Sequence, residues 1–384
     1  MKILYDYQAF SWQKWGGVSN SFIQLIKNLP SDVTYQIAIK ETDNVHLLKS
    51  NITDVVPCQL SGEDFITKRF FPGKYRLYKW FTKMFPNKTT NGRNFNYAKE
   101  LLTKQNFDIF HPTFFDNYFL KYIGDKPFVL TIHDMIPELI YENNRDPQIA
   151  AKRFLASKAA HIIAVSKNTK KDIINVLHIP EDKISVVYHG TPNIPEFPQN
   201  RIFNFKYLLY VGGRNLPYKN FKPMLKSIAP LLADSKDLKL VCTGSAFNEG
   251  ERELINELHL GNKVVHYFFN NDFELMNLYH NAECFIFPSL YEGFGIPILE
   301  AYQAGCPVLL NKKSCFPEIA GDAAIFFTLD KENNNLCSVL DSFLHYSNDE
   351  LKKLLKCQND RKKLFTWNNS AKSLVKSYKK VLAR

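Results

Sequence analysis

The chain predicts an α/β fold of two Rossmann-like, doubly wound domains, and three observations carry that prediction. Short apolar runs that read as buried strands alternate with amphipathic helical stretches along nearly the whole sequence. The pattern starts twice, each time with a first strand followed by paired glycines, Gly16-Gly17 and Gly212-Gly213. A chain of 384 residues is also comfortable for two hydrophobic cores and long for one.

The elements follow in order. "KILYDYQAF" reads as the first strand, the Gly16-Gly17 loop turns the chain, and "VSNSFIQLIKNL" is an amphipathic helix. "FVLTIHD", "HIIAVS" and "ISVVYHG" supply further strands. The proline-rich "TPNIPEFPQN", 191–200, reads as a linker. "KYLLYVGGRN" then restarts the pattern, with the helix "FKPMLKSIAPLL" and the strands "LKLVCTG" and "VVHYFF" behind it. Strands that alternate with helices build parallel sheets. The expected boundaries are a first domain over 1–192, a second over 193–365 and a lysine-rich terminal helix over 366–384. The repetition is one of topology rather than of letters, which excludes a solenoid.

Composition narrows the function. The chain is 45% hydrophobic and 23% charged, as a globular protein is, and its net charge of +11 points to an anionic partner. Seven scattered cysteines without a CxxC pair fit a reducing compartment rather than a disulfide framework. "MKILYDYQAF" is too short and polar for a signal peptide, and no apolar run reaches the length of a membrane span. The expected location is cytoplasmic. No helix-turn-helix, finger or RNP pattern supports a nucleic-acid partner. The chain has no serine-hydrolase elbow, HExxH or EF-hand loop, and no DxD pair to hold a metal-bound nucleotide. The sequence thus calls for no metal and no cofactor.

Three constellations remain. In "FIFPSLYEGFGIPILEAYQAGCPVLL", Phe285–Leu310, an apolar strand leads through a tight glycine loop into a helix that starts at Pro297 and ends at Gly305. Gly293 and Gly295 allow close backbone approach, and the amides at the helix start favour an anion such as phosphate. Glu292 and Glu300 flank that loop, which phosphate alone would not favour. A nucleotide sugar meets both demands, with phosphates for the amides and sugar hydroxyls for the carboxylates. The competing reading is a tight turn in which Glu300 merely favours the first helical turn. In "YVGGRNLPYKN", Arg214 and Lys219 follow a strand end and could grip a diphosphate, or could simply be solvated. In "FVLTIHDMIPE", His133 follows a buried strand, either to project into a site or to pack locally beside a helix-capping Asp134.

The Phe285–Leu310 segment resembles the E-x7-E signature of the retaining glycosyltransferases of family 4, whose fold is GT-B. "GGVSN", "TIHDMIPE", "IIAVSKNTKKDI", "VVYHG", "YVGGRNLPYKN", "LVCTGS" and "FPEIAGDAA" fall in the family's order. The "HDMIPE" form most resembles bacterial mannosyltransferases of envelope polysaccharide assembly. The resemblance implies two Rossmann-like domains facing across a cleft, the first on the acceptor side and the second binding the nucleotide sugar. It implies that Glu292, Gly293 and the amides of Phe294 and Gly295 meet the donor sugar, and that Glu300 takes the ribose hydroxyls. Arg214 and Lys219 would hold the diphosphate, Gly17 would lie near the phosphates, and His133 near the transferred sugar. His133 and Glu292 are thus the expected catalytic residues. The best donor is GDP-mannose, and the acceptor is a hydroxyl of a glycan or lipid-linked glycan. A non-catalytic sugar-nucleotide or glycan-binding protein on the same fold is the alternative. The "FSWQKW" flank and "YHG" in place of the usual "NG" depart from the family pattern and leave local roles unassigned.

Residues 65–95 interleave Lys68, Arg69, Lys74, Arg76, Lys79, Lys83, Lys88 and Arg93 with Phe70, Phe71, Tyr75, Tyr78, Trp80, Phe81 and Phe85 and contain no acid. Such a segment favours an anionic lipid surface and would place the protein peripherally on the inner membrane face. The alternative is an ordinary amphipathic helix with its aromatics packed inside.

Overall fold

The computed structural model describes residues 1–58, 66, 69, 71–85, 88–141, 146–192, 194 and 200–383. Part of the linker reading, at residues 193 and 195–199, lies outside them, as do Phe65, Lys68 and Phe70. The chain divides into two α/β units. One comprises Met1–Val165, Lys170–Val187 and Trp367–Arg384; the other comprises Ser166–Thr169 and Tyr188–Thr366. The division falls at Val187/Tyr188 rather than at 192/193. The reason is aromatic packing: the Tyr188 and His189 rings sit 6.2 and 5.0 Å from that of Phe294.

The first unit holds two three-stranded parallel sheets. Their orders are Thr34–Ile37, Lys2–Tyr5, Ile109–His111 and Val129–Ile132, His161–Ala164, Ile184–Val186. A parallel bridge between Phe110 and Phe128 links them. The opening strand is shorter than the sequence predicts, because Gln8–Trp12 is helical. The chain turns at Asp6, whose buried carboxylate accepts the amide of Tyr7 at 2.7 Å and the hydroxyl of Tyr118 at 2.6 Å. The first of these bonds satisfies the Tyr7 amide, a donor that a longer strand would have paired.

The second unit is a single six-stranded parallel sheet. Its order is Val264–His266, Leu238–Cys242, Lys206–Tyr210, Cys284–Phe287, Val308–Asn311, Ile325–Phe327. Apolar side chains of helix Phe221–Asp234, among them Met224, Leu225, Ile228 and Leu232, bury one face of it with Leu240, Cys242 and Ile286. In chain order this is strand arrangement 3-2-1-4-5-6, which reverses direction between its first and fourth strands. Ligands bind outside the carboxyl ends of strands at such a switch point.

The terminal helix, Trp367–Leu382, belongs to the first unit. It buries Trp367, Ala371, Leu374, Tyr378 and Val381, the spacing of one helix face. Tyr378 Oη lies 3.0 Å from Tyr5 Oη and 2.5 Å from His111 Nδ1, while His111 Nε2 meets Thr131 Oγ1 at 2.8 Å. Burial lowers the His111 pKa to about 3, so the network is neutral. Tyr378→Phe strands buried polar partners and is expected to lower unfolding free energy by roughly 1–3 kcal/mol in urea titration. The same variant should bind nucleoside diphosphate as wild type does. An unchanged urea midpoint would show that this network does not hold the helix in place.

Candidate active site

Two loops follow the two strands that meet at the switch point, and with the helix behind the second they contain the residues that the sequence singles out in the second unit. After Tyr210, Gly212 adopts φ +113° and donates its amide to Thr243 Oγ1 at 3.2 Å. Gly244, at φ +90°, packs against it so closely that a Cβ there would stand 2.7 Å from the Gly212 carbonyl oxygen. Backbone cannot yield as a side chain can, so this approach requires glycine.

Arg214 is buried between these turns. Its Nε donates to Glu251 at 2.9 Å, its two terminal nitrogens donate to the carbonyls of Thr243 and Ser245, and Phe247 lies under the guanidinium at 4.8 Å. Glu251 in turn accepts the Asn248 amide at 2.8 Å in a capping box that opens helix Glu249–Glu257. The sequence offers Arg214 as a diphosphate grip; in the structure its donors fasten the two glycine turns together. Breaking such a buried pair costs about 3–5 kcal/mol.

Lys219 is placed differently. It ends the short turn Pro217–Lys219, and its Nζ meets Glu292 Oε1 at 2.7 Å with both side chains partly open to solvent. The adjoining Leu290 amide donates to the Tyr218 carbonyl at 2.8 Å, so backbone and ion pair both tie the loops across the switch point. Glu292 is held further by Ser314, whose hydroxyl accepts its amide at 3.2 Å and donates to its carbonyl at 2.8 Å. The Gly293 carbonyl accepts the Thr169 hydroxyl at 3.2 Å. Phe294 is buried beside His189. Gly295, at φ +84°, caps helix Ile296–Ala304, and a Cβ there would press on Ile298 and Phe316 at 3.1 Å.

Glu300, one turn inside that helix, accepts the Tyr279 hydroxyl at 3.1 Å. Burial pushes its carboxyl up to about 7, with the tyrosine hydrogen bond opposing. Tyr279, Glu251 and Ser314 were not singled out from the sequence. Only Glu251 had a local signature, an Asn-x-x-Glu capping box; the others reach the site from distant elements.

In the first unit, His133 follows strand Val129–Ile132 with its ring 5.8 Å from that of Phe22. Burial lowers its pKa to about 4, which leaves the imidazole neutral at pH 7. Asp134 accepts the Ile136 amide at 3.1 Å from one residue before the N-cap, which is Met135 rather than Asp134. Lys152 fixes the same turn by donating to the Asp134 carbonyl at 3.0 Å and to Glu138 at 2.9 Å. Gly17 is the first residue of helix Gly17–Lys27, and Gln13 Oε1 already accepts the Ser19 amide at 3.1 Å. Among the described residues no group of three or more His, Cys, Asp or Glu could hold a metal ion.

Two α/β units, each built on parallel sheet, and a glycine loop opposed by an ion pair at a switch point are the features of a GT-B glycosyltransferase. The chain belongs to glycosyltransferase family 4: the model of that name matches residues 15–192, and that of the glycosyl transferases group 1 matches residues 194–366. It is similar to an uncharacterized glycosyltransferase of Methanocaldococcus jannaschii, 28% identical over 73% of this chain and 77% of that one. It is also similar to the O-antigen chain mannosyltransferase RfbU of Salmonella typhimurium, 29% identical over 53% of this chain and 58% of that one. Among solved structures, the sucrose-phosphate synthase of Thermosynechococcus elongatus matches with a TM-score of 0.69 at 16% identity, covering 100% and 99% of the two chains. Anabaena HepE, in complex with UDP and glucose, matches with a TM-score of 0.68 at 16% identity over 99% and 100%.

The raised Glu300 pKa has a definite sign. Its neutral form is favoured in the folded protein, so this contribution to stability is full below its ordinary value of 4.5 and is lost as pH rises through about 7. Where Glu300 takes ribose hydroxyls, as the family resemblance implies, the accepting carboxylate forms over the same rise. Nucleoside diphosphate affinity, measured by calorimetry, is therefore expected to increase between about pH 6 and 8, and Glu300→Gln to flatten the profile. Glu300→Ala should lose on the order of 1.5–3 kcal/mol of binding while staying folded.

Proposed function

We propose that the chain is a retaining mannosyltransferase that moves mannose from GDP-mannose to a hydroxyl of a glycan or lipid-linked glycan in cell-envelope polysaccharide synthesis. The observation that carries this reading is the Lys219–Glu292 pair beside the amides of the Gly293–Gly295 turn. A cation, helix-start amides and carboxylates side by side suit a ligand with a diphosphate at one end of its linkage and sugar hydroxyls at both. The choice of mannose is supported by the likeness to mannosyltransferases, among them the MMP alpha-(1->4)-mannosyltransferase of Mycolicibacterium hassiacum, 26% identical over 67% of this chain and 66% of that one.

In this reading Glu300 receives the ribose, Lys219 and the amides of Phe294 and Gly295 receive the diphosphate and sugar, and Glu292 receives sugar hydroxyls. Arg214 acts indirectly, by holding the Gly212 and Gly244 turns. Neutral His133 contacts the transferred sugar, and Gly17 stands near the phosphates. The bond from the sugar anomeric carbon to the phosphate oxygen breaks, and the acceptor oxygen bonds to that carbon on the same face. The acceptor proton passes to a donor phosphate oxygen. Catalysis then consists of positioning and charge stabilisation without a protein nucleophile. A binding protein on the same fold is the second reading; turnover of donor separates the two.

The enzyme is further proposed to be cytoplasmic and to work peripherally on an anionic membrane face. No helix among the described residues is long and apolar enough to cross a membrane. Helix Lys74–Met84 has three sectors at about 100° per residue. Lys74, 2% exposed, turns inward with the half-buried Tyr78 and Phe81; exposed Leu77, Trp80 and Met84 form a second sector; exposed Arg76, Lys79 and Lys83 form the third. Arg93 is engaged with Glu41 and so is not part of the basic surface. Trp80, 59% exposed, and Tyr75 and Phe85 are thus not packed inside. Apolar and basic sectors side by side match an interface of acyl chains and anionic headgroups.

Transfer is expected to persist in EDTA, since Lys219 and the helix amides neutralise the leaving diphosphate; loss of activity that Mg²⁺ or Mn²⁺ restores would refute that charge balance. Glu292→Ala should lower turnover more than nucleoside diphosphate affinity, and the reverse pattern would contradict its assignment to the sugar. For the membrane surface, an Arg76/Lys79/Lys83→Glu variant should sediment less with anionic liposomes than wild type does, each lost cation contributing about 1 kcal/mol. Equal sedimentation of both proteins would retire that surface and leave the transferase reading intact.

A further inference from the structure

The first unit exposes two indoles in a stretch that differs in charge from the basic helix. Trp12 is 46% exposed and Trp15 58%, both in the connection that follows strand Lys2–Tyr5. The connection is anchored. Asn44 donates to the Gln13 carbonyl, the Val45 amide donates to the Lys14 carbonyl at 3.0 Å, and the Gln13 side chain caps Ser19. Each indole stands edge to face with a supporting ring, Trp12 with Phe114 at 5.2 Å and 84°, Trp15 with His46 at 5.5 Å and 89°. Phe114 follows strand Ile109–His111, the neighbour of Lys2–Tyr5. Trp12 and its support therefore both emerge from the carboxyl edge of one parallel sheet, the edge where open α/β sheets bind ligands.

Indoles are large apolar surfaces, and leaving a pair of them in water on a fixed loop forgoes burial energy unless something covers them. The charge around them selects the occupant. From Tyr7 to Gly17 the only charged residue is Lys14, whereas helix Lys74–Met84 exposes Arg76, Lys79 and Lys83 with no acid. An anionic lipid surface matches the helix and not this loop. A pyranose ring matches the loop, because its C–H face is apolar and uncharged while its rim carries hydroxyls. We propose that Trp12 and Trp15 each offer a stacking face to a sugar ring of the acceptor glycan, an inference that rests on the glycosyltransferase reading.

The test is a Trp12→Ala/Trp15→Ala variant beside wild type on an array of immobilised oligosaccharides, with GDP and UDP titrations and anionic-liposome sedimentation in parallel. Wild type should retain a subset of the glycans, and the variant should hold them about tenfold more weakly, a loss of about 1.4 kcal/mol. A Trp12→Tyr/Trp15→Tyr variant should recover most of that loss, since an aromatic face is restored. Nucleoside diphosphate affinity and liposome sedimentation should be unchanged. Three results overturn the subsite: no glycan retained by wild type, equal retention by the alanine variant, or loss of liposome binding with glycan binding intact. Failure of the transferase reading shows separately, as wild-type protein that binds neither GDP nor UDP.

Discussion

The neighbour relation between strand Lys206–Tyr210 and strand Cys284–Phe287 is the constraint on which the site depends. At that point the sheet reverses its order, so the connections leaving the two strands run to opposite faces and open a crevice at their carboxyl ends. Every feature of the site follows from filling that crevice edge with backbone. Gly212 and Gly244 approach within a distance that no Cβ permits, and Gly295 turns the second loop through a left-handed conformation into a helix. Glycine-rich turns leave amides exposed, and the helix that follows orients them. The tie from Leu290 to Tyr218 and the Lys219–Glu292 pair then fix one loop against the other.

The electrostatics divide between charges that are consumed by the fold and charges that remain for a ligand. Arg214 and Glu251 neutralise each other in the interior, as do Lys152 and Glu138 in the other unit. Both pairs stabilise turns, and neither contributes field to the surface. Lys219 and Glu292 are both partly open to solvent, so their charges remain within reach of an arriving ligand. Glu300 and His133 are both moved toward neutrality by burial.

The sequence alone determined the class of architecture and marked the loops at the switch point. Alternating apolar runs and amphipathic helices dictate parallel sheets because each helix must bury one face and each central strand two. Pro297 and Gly305 bound one helix by local backbone preference, and both act where they were read. The glycine pairs and the two glutamates mark the loops for the same local reason. What only the tertiary structure decided is partnership. Arg214 and Lys219 look alike in a loop, yet one is buried against Glu251 and the other meets Glu292 at the surface. Tyr279 lies on a different helix from Glu300, Ser314 beyond the next strand, and Tyr378 reaches Tyr5 and His111 from the far end of the chain. Lys74 and Arg76 sit two residues apart in one basic run, and the helix turns the first inward and the second out. Local propensity fixes where a strand or helix starts and stops, because those preferences act within a few residues. Burial and pairing are set by which segments pack together, and that is a property of the folded chain.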